Sequence, residues 1–400
     1  MRSIRRIIVR SLLTSAVLVA GLSSCVLVGG WSPDHYVGPN GNDGAVGTTG
    51  SPWQSINVAL ERAEPGDTIH LLPGTYYERV IVTVSGEEGA PITIAGQDGA
   101  VLDGSREEPE DGVGYWGGFV ELRGVSHVVV KGLTARNAKG SALFARAFDG
   151  KRCANIEFSG NSTDGSNGSG IGVWECTGLT VTRNDVTNGP LAGNGAGIQL
   201  VDAVVVSANA ISTARMGLPA SLGDSASATA VLFVNNLVTD LSSTGLQAWA
   251  PESATEAFLD VSFINNTIYG TSGTTDNVTG GAVDGSLSDT SAVTLRNNIF
   301  AGLTSATVII DEKVPAGVVT IDTNLFTNTL FGADGETQGD NAVVTTDTVF
   351  TDAAGRDFTL ASGSPAVDAG KAADAPDADI LGTARPQGSG VDIGAYELEA

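Results

Sequence analysis

One short pattern recurs along this chain and limits what it can fold into. Two apolar residues flank one variable residue, and an Asn follows three places after the second. The copies are Ile156, Phe158 and Asn161; Leu179, Val181 and Asn184; Val204, Val206 and Asn209; Val231, Phe233 and Asn236; Val261, Phe263 and Asn266; Val293, Leu295 and Asn298; Val319, Ile321 and Asn324. Successive Asn residues are 23, 25, 27, 30, 32 and 26 apart. An earlier copy at Val128 and Val130 puts Gly132 at the expected Asn place. A period of about 20–50 residues marks a solenoid. Alternation marks strands, and no unit carries the period of an amphipathic helix.

A coil of this kind cannot bury its apolar side alone, so coils must stack about 4.8 Å apart. The expected fold is all-β: one chain wound as a right-handed parallel β-helix. Asn belongs at its corners, because it tolerates the left-handed conformation and its amide can bond to the Asn of the next coil. An open sandwich would show hairpin signals every 8–12 residues or so instead. A solenoid end exposes core and strand edges. Residues Pro52–Ala63 read as a short capping helix, with Ile56, Ala59, Leu60 and Ala63 on one face. Thr68–Leu72 and Val80–Val84 then read as the first strands.

Composition agrees. Gly reaches 53 of 400 residues and charged residues only 16%. That suits short strands and tight turns better than long helices. The formal charge is −24. Acidity without a basic patch excludes nucleic acid as the expected partner.

The first residues read as an export signal. Arg2, Arg5, Arg6 and Arg10 precede an apolar run, Leu12–Leu22, too short to span a bilayer. The run ends at Leu22, Ser23, Ser24 and Cys25, which resembles the bacterial lipobox. The resemblance implies a signal peptide over 1–24, lipidation at Cys25, a tether over 25–36 and a β-helix over 37–400. Removing 1–24 takes four Arg and no acid, which moves the charge to −28. The expected place is outside the cytoplasm of a bacterium, at the cell surface or in the periplasm, held to a membrane by lipid alone. A monomer is expected.

Several segments carry a wider resemblance. They are Tyr36–Asp43, Pro52–Ile56, Pro65–Ile69, Pro73–Tyr76, Ala90–Ile94 and Val101–Gly104. They resemble the opening of secreted pectate-lyase-like β-helix proteins. Gly363–Ala366, Asp368, Gly370, Arg385, Pro386 and Asp392–Glu397 resemble a C-terminal segment, 357–397 here, common in that group. The resemblance implies the β-helix fold and a polysaccharide substrate. The group includes lyases, hydrolases, epimerases and non-catalytic proteins, so fold alone does not choose the chemistry.

The repeat register makes other residues informative. Cys153 and Cys176 each lie eight residues before an Asn, so they occupy one place on adjacent coils. The coil spacing falls within the Cα range of a disulfide, and export permits oxidation. A second strand precedes each repeat, and its alternation points one set of residues outward. One outward column should run Phe144, Gly172, Gln199, Pro219, Gln247 and Asp284. The next should run Arg146, Trp174, Val201, Ser221, Trp249 and Ser286. Trp faces stack on sugar rings, and amides bond hydroxyls. Phe144, Trp174, Gln199, Gln247, Trp249 and Asp284 are therefore the expected sugar-binding residues. Tyr115 and Trp116 would form one groove wall.

For elimination from a polyuronide, a base and a cationic group are needed. Arg146 and Lys139 are the candidates near the groove. Related β-helix proteins carry Gly-Ile-Asp-x-Lys on a middle coil. The corresponding stretch here is Gly217–Ser221, with Pro219 for the Asp and Ser221 for the Lys. For hydrolysis two carboxyls must flank the bond, and Glu175 and Asp202 are the candidates. Ca²⁺ is the cofactor an acidic surface would take, with Asp164–Gly170 read as a turn before a Ca²⁺ loop. A lyase, a hydrolase, a glycan-binding adhesion protein and a passive envelope spacer all stay open at this point.

Overall fold

The Asn repeat builds a ladder. In the computed structural model, Asn161, Asn184, Asn209, Asn236, Asn266, Asn298 and Asn324 stack on successive coils. Each one's backbone N–H and side-chain Nδ2 donate to the Oδ1 of the next, at 2.8–3.1 Å. Each Nδ2 of the ladder also donates to a backbone carbonyl of the coil before, such as Val130 O from Asn161 and Phe233 O from Asn266. Buried amides that satisfy each other in this way fix the coil register, because an orphaned partner costs about 1–3 kcal/mol.

The structure describes residues 34–107, 117–187, 202–212, 214, 216–221, 227–250, 257–270, 278–305, 307–328 and 336–399. They lie in the unit Pro33–Ala400. The expected signal, Cys25 and most of the tether lie outside them. No helix among the described residues is long and apolar enough to cross a membrane.

Three parallel faces wrap one core, so the chain is a right-handed parallel β-helix. The first face carries the repeat strands, from Thr68–Leu71 to Val319–Asp322, in an eleven-stranded sheet that Asp34–Val37 begins. The second face follows the Asn corner with short strands, from Gly74–Tyr76 to Val343–Thr345. Among the described residues the third face forms two four-stranded parts. One holds Val80–Val82, Gly118–Arg123, Ser141–Arg146 and Ile171–Trp174. The other holds Met216–Ser221, Thr244–Trp249, Thr279–Asp284 and Val308–Ile310. Inward side chains stack in rows along the axis. Phe233 and Phe263 face each other at 4.8 Å, the strand spacing itself.

Four details depart from the sequence reading. Phe158 pairs with Val130, so Leu133, not Gly132, stands at the Asn place. Its backbone N–H donates to Asn161 Oδ1 at 3.0 Å, and the ladder ends there. Nor is the ladder Asn the left-handed residue. The residue before it is: Gly132, Gly160, Arg183, Ala208, Asn235, Asn265, Asn297 and Thr323 all have φ between 53° and 63°. At the N-terminus, Asp34–Val37 is an extra strand reaching into the expected tether. The helix is shorter than read, Ile56–Arg62, with Ser55 as its N-cap and Ile56, Ala59 and Leu60 buried. Glu78 fixes its start by accepting from the Ile56 N–H and Ser55 Oγ.

The doubled Asn residues have a second use. Asn235, Asn265 and Asn297 turn their amides outward and donate to Ala378 O, Asp392 O and Lys371 O. The C-terminal segment is strapped along the coils by these bonds. Its apolar residues Phe350, Phe358, Leu360, Ala366 and Ile393 bury the outward Ile299, Ala301 and Leu325 of the second face. Arg385 is fully buried against Glu397, at 2.8 Å.

Candidate functional site

Among the described residues, the strap's bonds and apolar contacts named above fall on the second face and the corner before it, not on the third face. In its first part Leu143, Ala145, Ile171 and Val173 point inward and are buried. Phe144 stands opposite Glu121 and Gly172, and Arg146 opposite Arg123 and Trp174. Both expected columns hold in this part. Their roles differ from the reading. Phe144 is 1% exposed, so it offers no ring to a sugar. Its ring meets Trp174 edge-on at 5.1 Å and supports it. Gly172 makes the room, since a Cβ there would fall 2.8 Å from the Phe144 ring.

Beside this pair lies a cluster that the sequence reading missed. Glu121, wholly buried, accepts from Arg146 Nε at 2.7 Å and Arg123 Nε at 2.9 Å, and from Arg79 Nη2 at 2.5 Å. Burial alone would raise the Glu121 carboxyl. The hydrogen bonds and charges of Arg123 and Arg146 overcome it and hold the group down to about 2. Three guanidinium groups surround this carboxylate, and Glu107 adds a second near Arg79, at 3.7 Å. Among the described residues, three guanidinium groups thus meet two carboxylates here. Arg123 and Arg146 also flank the exposed Phe148 ring, at 5.0 and 5.3 Å. The alternation of Val120, Glu121, Leu122 and Arg123 carried a signal, with two charged residues at outward places.

Lys139 does not join Arg146. It is exposed before the strand Ser141–Arg146, and its backbone N–H donates to Glu107 Oε2 at 3.2 Å. About 17 Å of strand separates the two ends. Glu175 is exposed at a corner with φ of 54°. Asp202 starts a first-face strand and stands opposite Thr177, two places beyond Glu175. The proposed acid pair is therefore out of register, because the chain turns the corner between them. Gln199, Val201, Tyr115 and Trp116 lie outside the described residues.

In the second part Pro219 stands opposite Gln247 and Ser221 opposite Trp249, as read. The next coil is shifted by two. Ala282 stands opposite Gln247, and Asp284 opposite Trp249 where Ser286 was expected. The inward place opposite Leu246 is Gly281, whose missing side chain hid the alternation. Gln247 Nε2 donates to Asp284 Oδ2 at 3.0 Å. Burial pushes the Asp284 carboxyl up; the bond from Gln247 opposes this and the charge of Asp311 reinforces it. Trp249 is 38% exposed. Counted along the first face, Trp174 and Trp249 are three coils apart, roughly 14 Å.

Cys153 and Cys176 stand opposite each other and are joined by a disulfide, with Cα atoms 4.5 Å apart. The bridge ties the coil of Arg146 to the coil of Trp174. Among the described residues no group of three or more His, Cys, Asp or Glu could hold a metal ion. At Asp164–Gly170 the Asn167 N–H donates to Ala138 O, and Ser166 is buried.

Comparison with known proteins agrees on the fold. A family model described as a right-handed β-helix region matches residues 115–268. Pectate lyase PEL9 of Emericella nidulans is 40% identical over 70 residues, 16% of this chain and 17% of that protein. The uncharacterised protein YwoF of Bacillus subtilis is 30% identical over 111 residues, 27% of this chain and 23% of that protein. The chain thus spans less than a quarter of the length of these curated relatives. The crystal structure of pectate lyase Pel9A superposes with a TM-score of 0.57 at 17% identity, covering 91% of this chain and 96% of that one. The protein is a right-handed parallel β-helix.

Proposed function

We propose that the protein acts on an extracellular polysaccharide that carries carboxylate groups, laid along the axis of the third face. One observation carries this reading: Arg146 and Trp174, both half-buried, stand side by side on one face, over the buried Glu121 and Phe144 that hold them. Guanidinium groups bind carboxylates in a planar, two-pronged way. An indole beside them takes the apolar face of a sugar ring. Trp249, three coils on, supplies a second platform with Gln247 as its amide partner. The pectate lyases among the similar proteins support a polysaccharide as ligand.

In a lyase-like reaction Arg146 is the group that neutralises the uronate. Lys139 is too far along the strand to serve as its base. A glycan-binding adhesion protein would use the same groove without turnover. The sequence of 1–25 supports export and a lipid anchor at Cys25, so in this reading the groove faces the outside of the cytoplasm of a bacterium; a monomer completes the proposal.

The test is retention on immobilised polygalacturonate, alginate and xylan, with Trp174→Ala plus Trp249→Ala as the variant. Retention on an acidic polymer, reduced at least tenfold in the double variant, is expected. Equal retention of both proteins overturns the groove.

A further inference from the structure

We infer that Glu121 is a positioning residue: it aims the guanidinium of Arg146 so that the groove selects sugars with a free carboxylate over the same sugars esterified. This rests on the reading that a polysaccharide lies on the third face, and it names what sets the selectivity of that site.

The hydrogen bonds on Glu121 are unequal. Arg123 gives it both Nε, at 2.9 Å, and Nη2, at 3.2 Å. Arg79 gives it Nη2 and sends its Nε to Gly118 O at 2.8 Å. The Gly118 N–H adds a bond at 3.3 Å. Arg146 gives only Nε, at 2.7 Å. Among the described residues its two Nη groups have no hydrogen-bond partner, and its side chain is 25% exposed. A guanidinium can grip a carboxylate along its Nε side or across its two Nη ends. Glu121 occupies the Nε side of Arg146, so the outer fork is the one left for a ligand.

A second contact holds the same guanidinium. Its carbon lies over the Phe148 ring, 5.3 Å from the centre, and a ring face attracts a cation. Phe148 is itself fixed at a tight turn. Its N–H donates to Lys151 O at 2.9 Å, and the Lys151 N–H donates to Phe148 O at 3.0 Å. Asp149 and Gly150 between them have φ of 49° and 73°. Trp174 stands opposite Arg146 on the next coil, and the Ala147 N–H donates to Trp174 O at 3.1 Å. Sugar platform and fork are thus neighbours in one sheet. Glu121 is wholly buried, so it reaches a ligand only through Arg146. Esterification of a sugar carboxylate removes its charge and spoils the two-pronged contact. A fork held by an acid and a ring cannot re-aim to recover that loss, which is what makes it selective.

The test measures retention of the full chain on immobilised polygalacturonate and alginate and on the methyl esters of both, with cooperative melting as the control for folding. The parent should be retained roughly tenfold better by an acidic polymer than by its ester. Glu121→Gln keeps the shape and should lose most of that preference, while retention on the ester stays within about twofold. Glu121→Asp keeps the charge its arginines need but withdraws it by a methylene, and serves where Glu121→Gln does not fold. It should lower the preference about threefold or more. Arg146→Lys keeps the charge, removes the fork and should lose the preference likewise. Arg136→Lys, on the second face, should keep it. Equal retention of acid and ester by the parent overturns the inference and leaves the groove standing. So does an unchanged preference in Glu121→Asp or Arg146→Lys. So does an equal fall on acid and ester in Glu121→Gln, the mark of a purely structural role. No retention on any of these polymers overturns the inference and the groove together.

Discussion

Arg146 Nε donates to Glu121 Oε1 at 2.7 Å across two neighbouring coils, and this bond makes a buried acid the anchor of the guanidinium groups around it. Arg79 and Arg123 bind the same carboxylate. Glu121→Gln keeps the shape and removes the charge. The folded group is held at about 2 against an ordinary 4.5, so its contribution is present above 4.5 and lost as pH falls towards 2. Chemical unfolding should show Glu121→Gln less stable at pH 7 by on the order of 3 kcal/mol. The gap should close near pH 2. A constant gap at both pH values would show that packing, not charge, sets it.

Asp284 gives the opposite sign. Its carboxyl is raised by burial, so the stability it contributes is present below its ordinary 3.8 and lost as pH rises through the raised value. Asp284→Asn should melt at a higher temperature than the parent at pH 7, and at the same temperature near pH 3.8. A lower melting temperature at pH 7 would mean that the bond to Gln247 outweighs the burial.

The ladder is tested at Asn266, whose Oδ1 accepts twice from Asn236 and whose Nδ2 donates to Phe233 O and Asn298 Oδ1. Asn266→Ala orphans groups on both neighbouring coils. A loss of about 3 kcal/mol or more is expected in denaturant unfolding. Asn265→Ala should loosen the C-terminal strap instead, read as faster exchange of amides in 363–397, because its amide holds Asp392 O and Gly394 O.

The disulfide closes a loop between Cys153 and Cys176, 23 residues apart in sequence. Mass analysis of unreduced protein should find neither thiol free. Reduction should cost roughly 3 kcal/mol by loop-closure entropy, and should weaken retention on an acidic polymer because the bridge joins the coils of Arg146 and Trp174.

The fold was legible because a β-helix repeats its reasons. Alternation, the Asn corner and constant offsets named the inward residues and the cysteine pair from sequence. The site was only partly legible, since outward residues obey no period. Where inward residues were large, as at Leu143 and Ile171, the columns read correctly. Where Gly281 left an inward place empty, the register slipped by two and Asp284 was set in the wrong row. Glu175 and Asp202 stand two places out of register for a related reason: Glu175 is itself the corner residue, and spacing alone does not show it. Glu121 was hidden because two of its partners, Arg79 and Arg146, come from neighbouring coils that only folding brings alongside it; Arg123 lies on its own strand.

The most direct test of the account is hydrogen exchange of the full chain with and without an acidic oligosaccharide, an oligogalacturonate first and an oligoalginate second. The predicted result is slowed exchange in 118–123, 141–146, 171–174, 244–249 and 279–284, with the outer residues of the first face unchanged. Protection confined to the first face or to the C-terminal strap, or no protection with either ligand, would contradict it.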